Sequence, residues 1–118
     1  MRKNMTDCKE SSHEKIIQAL SETVGYEETV RNMAEIFGAL GDPSRMKILL
    51  ALLKGELCVY HICELTGAKQ SATSQHLRKL RDLRIVKTRK SGNQVLYSIA
   101  DDHIKIMIDV ILEHLHCG

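Results

Sequence analysis

The sequence predicts a mainly α-helical fold that carries one β-hairpin, and three observations support this prediction. Apolar residues recur at helical spacing along most of the 118 residues. A short apolar segment, a glycine and a longer basic segment follow one another between residues 59 and 83. Two segments of alternating apolar and polar residues then flank the turn-forming stretch Lys90-Ser91-Gly92-Asn93. This order predicts several helices, then a hairpin, then one last helix.

The composition is that of one small globular domain. Hydrophobic residues make up 43% of the chain and charged residues 27%, as in ordinary globular proteins. With one Phe, three Tyr and no Trp, the core must be built from aliphatic side chains. A core of this size is marginal for a monomer, so burial of further surface in a homodimer would stabilise it. We assign residues 1–12 to a flexible N-terminal tail and residues 13–118 to the folded domain.

The sequence predicts a cytoplasmic protein. Its apolar runs are shorter than the roughly 20 residues needed to cross a bilayer, so no membrane partner is expected. The first twelve residues are polar and lack the apolar region of a secretory signal. Because cytosolic thiols stay reduced, the four cysteines are better interpreted as buried, metal-binding or redox-active than as structural disulfides.

The first half of the chain predicts three helices. His13 to Val24 and Thr29 to Leu40 carry apolar residues at helical spacing, with Gly25 as the break between them. The sequence Gly41-Asp42-Pro43 then ends one helix and begins the next. Glycine suits the position after a helix, aspartate suits the N-cap and proline the first turn. The third helix is expected to end at Gly55.

The second half predicts a winged helix-turn-helix. A short helix from Val59 to Thr66 ends at Gly67, and a longer helix from Gln70 to Leu83 places Ala72, Leu77 and Leu80 inward. Strands from Ile85 to Arg89 and from Gln94 to Ile99 form the hairpin. A last helix from Asp102 to His116 completes a fold that is expected to dimerise through its terminal helices.

Positive charge is concentrated in one part of the chain. Residues 69–90 hold eight basic side chains and one acid, which gives this segment a charge of +7. Since the net charge of the chain is +2, the remainder carries −5. A basic segment in an otherwise acidic chain is typical of proteins that bind the phosphate backbone of nucleic acids, although a solvated surface is the alternative.

The longer helix and the hairpin hold the candidate DNA-binding residues. Amide and hydroxyl side chains at the start of the helix can reach base edges in the major groove: Gln70, Ser71, Ser74 and Gln75. Arg78 and Lys79 lie further along and suit phosphates, as do Arg89 and Lys90 near the hairpin tip. His76 has no assigned role. The chain shows no nucleophile–base set or phosphate-binding loop, so we do not expect an enzyme.

Four short motifs, taken in order, resemble the ArsR/SmtB family of metal-responsive winged-helix repressors. They are Ala39-Leu40-Gly41-Asp42-Pro43-Ser44-Arg45, Gly55-Glu56-Leu57-Cys58-Val59, Ser74-Gln75-His76-Leu77 and Gly92-Asn93-Gln94-Val95-Leu96-Tyr97-Ser98. Each motif is short, but their order and spacing together are specific, and the resemblance covers roughly residues 28–117. It implies a homodimer that binds operator DNA and releases it when an effector binds.

The last helix holds a candidate metal site of Asp101, His103, His114 and Cys117. Imidazole and thiolate are good ligands for zinc-type ions. His103 and His114 are eleven residues apart, so they share one helix face but lie about 16 Å apart along the axis. Two antiparallel helices in a twofold dimer would bring His103 of one chain beside His114 of the other and make two identical sites. An apolar stripe is expected to pack between the two helices: Ile104, Met107, Ile108, Ile111 and Leu115.

The same arrangement is implied by the family resemblance, because relatives have an interfacial site with an Asp-x-His and then a His-x-x-ligand pattern on the last helix. Cys117 is the departure, since better-known members carry Glu or His at this position. A thiolate shifts the preference toward softer ions such as cadmium, or favours zinc. Because Cys117 precedes the terminal Gly118, His116 is an alternative fourth ligand.

A second metal or thiol site is a further hypothesis. Arsenic- and cadmium-sensing relatives commonly have Cys-Val-Cys at the position of Cys58, and here Tyr60 replaces the second cysteine. Cys63, Cys8 of the tail, and His13 or His61 could complete a set around Cys58, with Cys8 reaching across from the partner. The alternative is that Cys58 and Cys63 are small buried hydrophobic residues.

These inferences predict a homodimeric transcriptional repressor that binds operator DNA and is released by a transition metal ion, Zn(II) or Cd(II). The alternative function is a thiol-based sensor repressor that responds to arsenite, persulfide or oxidants through its cysteines. The two differ in which residues control the response: Asp101 and His103 in the first, the cysteines in the second.

Overall fold

The structure, a computed structural model, describes residues 11–117, and the contacts within the chain divide it into two units, Met1–Glu35 and Ile36–Gly118. Most of the predicted tail, including Cys8, lies outside the described residues. The first helix begins at Ser11, two residues before the predicted start of the folded domain. Among the described residues, no helix is both long and apolar enough to cross a membrane.

The first unit contains helix α1, Ser11–Ser21, and the beginning of helix α2, Tyr26–Leu40. Gly25 turns the chain between the two helices with φ of +71°, a left-handed conformation that favours glycine. The Gly25 carbonyl then accepts a hydrogen bond from Thr29 N at 2.8 Å, which begins the backbone ladder of α2. Helix α1 therefore ends before Val24, and α2 begins three residues before its predicted start.

The second unit begins within α2 and contains three helices of the helix-turn-helix region. They are α3, Pro43–Leu52, α4, Val59–Thr66, and α5, Gln70–Asp82. The Asp42 side chain caps α3 by accepting a hydrogen bond from Arg45 N at 3.0 Å, as predicted, and this bond lowers the pKa of Asp42. Gly67 ends α4 with φ of +76°.

A small antiparallel sheet forms the wing. Strands β2, Val86–Ser91, and β3, Gln94–Ile99, pair directly, with Ser91 opposite Gln94. The turn is therefore only Gly92-Asn93, shorter than predicted, and Gly92 has the left-handed φ of +64°. Strand β1, Leu57–Cys58, was not predicted; it pairs with the other edge of β3 and gives the strand order β1-β3-β2. A strand of two residues is too short to show alternation.

The core of the second unit is aliphatic, as the composition predicts. Buried residues from the end of α2, from α3, α4 and α5, and from β2 and the residue before it meet the last helix, α6, Asp102–His116, in one cluster: Ala39, Leu40, Ile48, Leu49, Leu52, Ile62, Leu77, Leu80, Ile85, Val86 and Ile108. The inward position predicted for Ala72 is wrong, because Ala72 is exposed and Thr73 is fully buried in its place. Thr73 lies about one turn before Leu77 and about two turns before Leu80, so it shares their helix face.

The five apolar residues predicted to pack between two α6 helices do not all face the same surroundings. Ile108 is only 4% exposed and belongs to the core of its own chain, and Ile104 and Met107 pack partly against that core. Ile111 and Leu115 are exposed. The prediction that all five residues pack between two copies is therefore wrong for Ile108. The exposed apolar residues Ile106 and Val110 were not part of the predicted stripe.

Candidate DNA-binding and metal-binding sites

The face of α5 predicted to read bases is open to solvent. Gln70, Ser71, Ser74 and Gln75 are all exposed, while Leu77 and Leu80 anchor the opposite face in the core. The helix is basic toward its C-terminal end, where Lys79 and Arg81 occupy the last turn and Arg78 is exposed. An anchored helix with a polar exposed face and basic end has the form that enters a major groove.

The wing holds one of its predicted phosphate-binding residues in an ion pair. The guanidinium of Arg89 donates two hydrogen bonds to Glu56, from Nε to Oε2 at 2.7 Å and from Nη2 to Oε1 at 2.8 Å. This pairing lowers the pKa of Glu56 and raises the pKa of Arg89. Lys90 is exposed. The sequence did not indicate Glu56, because it lies 33 residues from Arg89 and the contact depends on the pairing of both β1 and β2 with β3.

We expect Glu56→Gln to strengthen DNA binding of any sequence, because it releases the Arg89 guanidinium for phosphate contact and removes one carboxylate. The plot of the logarithm of the DNA association constant against the logarithm of the salt concentration should become steeper by about one unit, because one more counterion is released on binding. Fluorescence anisotropy with an unrelated duplex at several salt concentrations measures this slope. In an Arg89→Met background the Glu56→Gln change should leave the slope unaltered, and an equal steepening there would show that Arg89 is not the residue released.

The predicted metal ligands lie at the two ends of α6. Asp101 is the N-cap of the helix, and its Oδ1 accepts a hydrogen bond from Ile104 N at 3.1 Å. The same oxygen lies 3.7 Å from Nδ1 of His103, whose side chain is 95% exposed. His114 and Cys117 are exposed at the other end. At about 100° per residue, His103, Val110 and His114 share one face of the helix.

One chain alone does not assemble a complete metal site among the residues described. No group of three or more His, Cys, Asp or Glu side chains is close enough to hold an ion within residues 11–117. The separation along α6 accounts for this result, since three helical turns lie between His103 and His114. His116, the alternative ligand, is also exposed.

The cysteines near the helix-turn-helix do not come together in one cluster. Cys58 is buried at the N-cap of α4, and its Sγ lies 3.2 Å from Nδ1 of His61. His61 also makes an edge-to-face contact with the ring of Tyr60. Cys63 is half-buried, and Cys58, Cys63 and Cys117 are all free thiols. Within residues 11–117, the structure therefore pairs Cys58 with a histidine and not with a second thiol.

Comparison with known proteins places this architecture in a family. Residues 42–88 match the family model for bacterial regulatory proteins of the arsR family. A transcriptional repressor SmtB homolog from Synechocystis is 38% identical over 86% of this chain and 76% of its own length. A cadmium resistance transcriptional regulatory protein CadC homolog from Staphylococcus aureus is 33% identical over 97% of this chain and 93% of its own.

A solved structure has the same fold. It is the homodimeric winged helix-turn-helix DNA-binding domain (fragment 1-100) of a possible ArsR-family transcriptional regulator from Mycobacterium bovis. It superposes with a TM-score of 0.71 and 26% identity, covering 82% of this chain and 94% of the other. With the helix-turn-helix, the wing and the order of elements all in agreement, the chain belongs to the ArsR/SmtB family and is a winged-helix transcriptional regulator, not an enzyme.

Proposed function

We propose that the chain is a homodimeric repressor that binds operator DNA and is released when a transition metal ion binds between its two α6 helices. Zn(II) and Cd(II) are the ions that suit the ligands. The observation that carries this proposal is the Asp101 carboxylate placed beside the exposed His103 imidazole, with His114 and Cys117 exposed at the far end of the same helix.

The chemistry of the donor set fits such an ion. Two imidazoles, one carboxylate and one thiolate make a four-coordinate set of the kind that zinc takes, and the thiolate also suits cadmium. The Asp101 carboxylate, near His103 Nδ1, can also orient that ring by hydrogen bonding. An ion bound there would link residues of two chains. Asp101 and His103 would come from one chain and His114 and Cys117 from the other.

Exposed apolar side chains support dimerisation. A groove of about 340 Å³ runs between the end of α2, α3 and α6, and Phe37, Leu50, Ile111 and Leu115 line it while remaining substantially exposed. Val110, on the face that carries both histidines, is 53% exposed. A contiguous apolar surface of this kind marks a protein interface in an otherwise polar molecule.

Regulation follows from thermodynamic linkage. The dimer arrangement in which the metal ligands of two chains come closest need only fit DNA poorly. Binding of the metal ion then lowers the affinity for operator DNA, and operator binding lowers the affinity for the metal ion by the same factor. Such couplings are typically about 1–3 kcal/mol, or roughly 5- to 150-fold in affinity.

The test is a zinc titration of the reduced protein, read by operator binding. Zinc should weaken operator binding of the wild type about 5- to 150-fold. Asp101→Asn should remove this response and leave binding by the metal-free protein unchanged, because asparagine is also a good N-cap and preserves α6. Release of operator by zinc at full strength in Asp101→Asn would exclude this ligand.

A thiol-based response is the second candidate, and the contact between Cys58 and His61 favours it. A thiol at the start of a helix with a neighbouring imidazole shares two features of a reactive cysteine, and local opening would have to expose Cys58, which is buried. The two candidates separate cleanly. If the chain is a metal-responsive repressor, Cys58→Ala with intact α6 ligands should keep the zinc response. If it is a thiol-based sensor, Cys58→Ala should abolish a response to arsenite, persulfide or peroxide.

A further inference from the structure

A second cavity lies behind the recognition helix and has no role in the functions above. It measures about 240 Å³ and is bounded by the first turns of α3, by the turn that follows α4 and by the inner face of α5. Its lining includes residues with hydroxyl, ammonium and imidazole groups: Ser44, Lys47, Thr66, Thr73 and His76. This collection includes His76, to which the sequence assigned no role.

We propose that this cavity binds a small phosphate-type oxyanion. The first argument is Thr73, whose side chain is 0% exposed. Among the described residues its Oγ1 has no hydrogen-bond partner, although a buried hydroxyl in a helix can usually bond to the carbonyl of the preceding turn. A buried donor without a partner costs about 1–3 kcal/mol, so a ligand that accepts its hydrogen bond would be favoured.

The charge around the cavity has the sign that an oxyanion needs. Lys47 lines it, and α5 begins at Gln70, between the lining residues Ala68 and Thr73. The N-cap residue of α5 is Lys69, whose side chain has only donors and makes no capping hydrogen bond. The first turn of α5 has no acidic residue, so the positive end of the helix is not neutralised.

Asp42 is an acidic group that bears on a lining residue. Its charge interacts with His76, but its Oδ2 accepts the hydrogen bond from Arg45 N and so caps α3. The carboxylate therefore does not satisfy Thr73. A phosphate oxygen can accept from Thr73 and Ser44 and can pair with Lys47.

The oxyanion could come from solution or from the DNA backbone, and helix geometry favours solution. At about 100° per residue, Thr73 and His76 lie on the side of α5 away from Ser74 and Gln75. A ligand in the cavity would therefore support the recognition helix from behind. Binding of an oxyanion from solution does not depend on the proposed metal site. Binding of a DNA phosphate in the cavity would depend on the proposed operator binding.

The test follows the thermal unfolding midpoint as inorganic phosphate replaces chloride at constant ionic strength and pH. In the wild type the midpoint should rise and saturate with phosphate, as expected for a ligand that binds the folded state. Phosphate also stabilises proteins by exclusion from their surface, so the informative quantity is the difference between variants. Thr73→Val and Lys47→Met should lose the saturable rise, while Lys54→Met, a nearby exposed lysine outside this cavity, should keep it.

Thr73→Val gives a second readout that does not depend on added ligand. Valine has nearly the same shape and no hydroxyl, so the variant should unfold at a higher temperature than the wild type in phosphate-free buffer. Titration of labelled protein with inorganic phosphate should also shift the amide resonances of Gly67, Ala68 and Thr73.

Operator binding in phosphate-free buffer identifies the source of the anion. Unchanged DNA affinity in Thr73→Val, with the phosphate response lost, supports a free anion. A similar loss of affinity for every DNA sequence, with no response to free phosphate in the wild type, assigns the oxyanion to the DNA backbone. If neither phosphate nor DNA distinguishes Thr73→Val and Lys47→Met from Lys54→Met, the cavity binds no oxyanion. Normal operator release by zinc in the same samples would show that the proposed function stands independently.

Discussion

A mixture of His103→Ala and His114→Ala subunits is expected to regain the tight zinc binding that neither variant has alone. Each homodimer lacks one imidazole at both shared sites. In the heterodimer, one site lacks both imidazoles and the other is complete. The complete site takes His103 from the His114→Ala subunit and His114 from the His103→Ala subunit. Loss of an imidazole ligand should weaken zinc binding by at least about 100-fold, so the restored sites are easily detected.

Competition with a zinc-binding dye measures the tight sites before and after subunits exchange. Random exchange makes about half of the dimers heterodimers, and each contributes one intact site. Mass spectrometry with one isotopically labelled variant confirms that heterodimers have formed. Heterodimers that still bind zinc weakly would mean that His103 and His114 do not serve one shared site.

The second large effect is expected from Val110→Glu, which should convert the proposed dimer to a monomer. Val110 lies on the helix face of His103 and His114 and is 53% exposed in one chain, so the monomer fold can accept a charge there. In a dimer joined through this face the carboxylate would be buried without a partner, which costs several kcal/mol. Operator affinity should then fall by about 100-fold or more, because each half-site would bind a separate chain.

Analytical ultracentrifugation and circular dichroism distinguish this result from unfolding. Leu65→Glu is the matched control, since Leu65 is 66% exposed on α4 and does not line the groove between α2, α3 and α6. The control should remain dimeric, and both variants should keep the helical content of the wild type. A Val110→Glu protein that sediments as a dimer would place the interface on another surface.

Local sequence signals determined the order of elements in this protein. Gly41-Asp42-Pro43 predicted the start of α3 because the Asp42 cap and the fixed φ of Pro43 both act within a few residues. The boundaries of α4 and α6 were predicted correctly for the same reason, and Gly92-Asn93 located the wing. The candidate ligands on α6 could be selected from the sequence, because their shared face follows from helix periodicity alone.

The tertiary structure decided which partner each side chain meets. The sequence could not indicate the Glu56–Arg89 pair, since those residues meet only when β1 and β2 both pair with β3. The sequence analysis placed Ala72 in the core because alanine is apolar, but Thr73 is the residue that lies there. Thr73 is on the helix face of Leu77 and Leu80, and that position decides which side chain is buried. The sequence also assigned Ile108 to an interface between chains, although the helix turns that residue into its own core. Contacts between residues distant in the sequence depend on how the elements pack, and periodicity within one element does not contain that information.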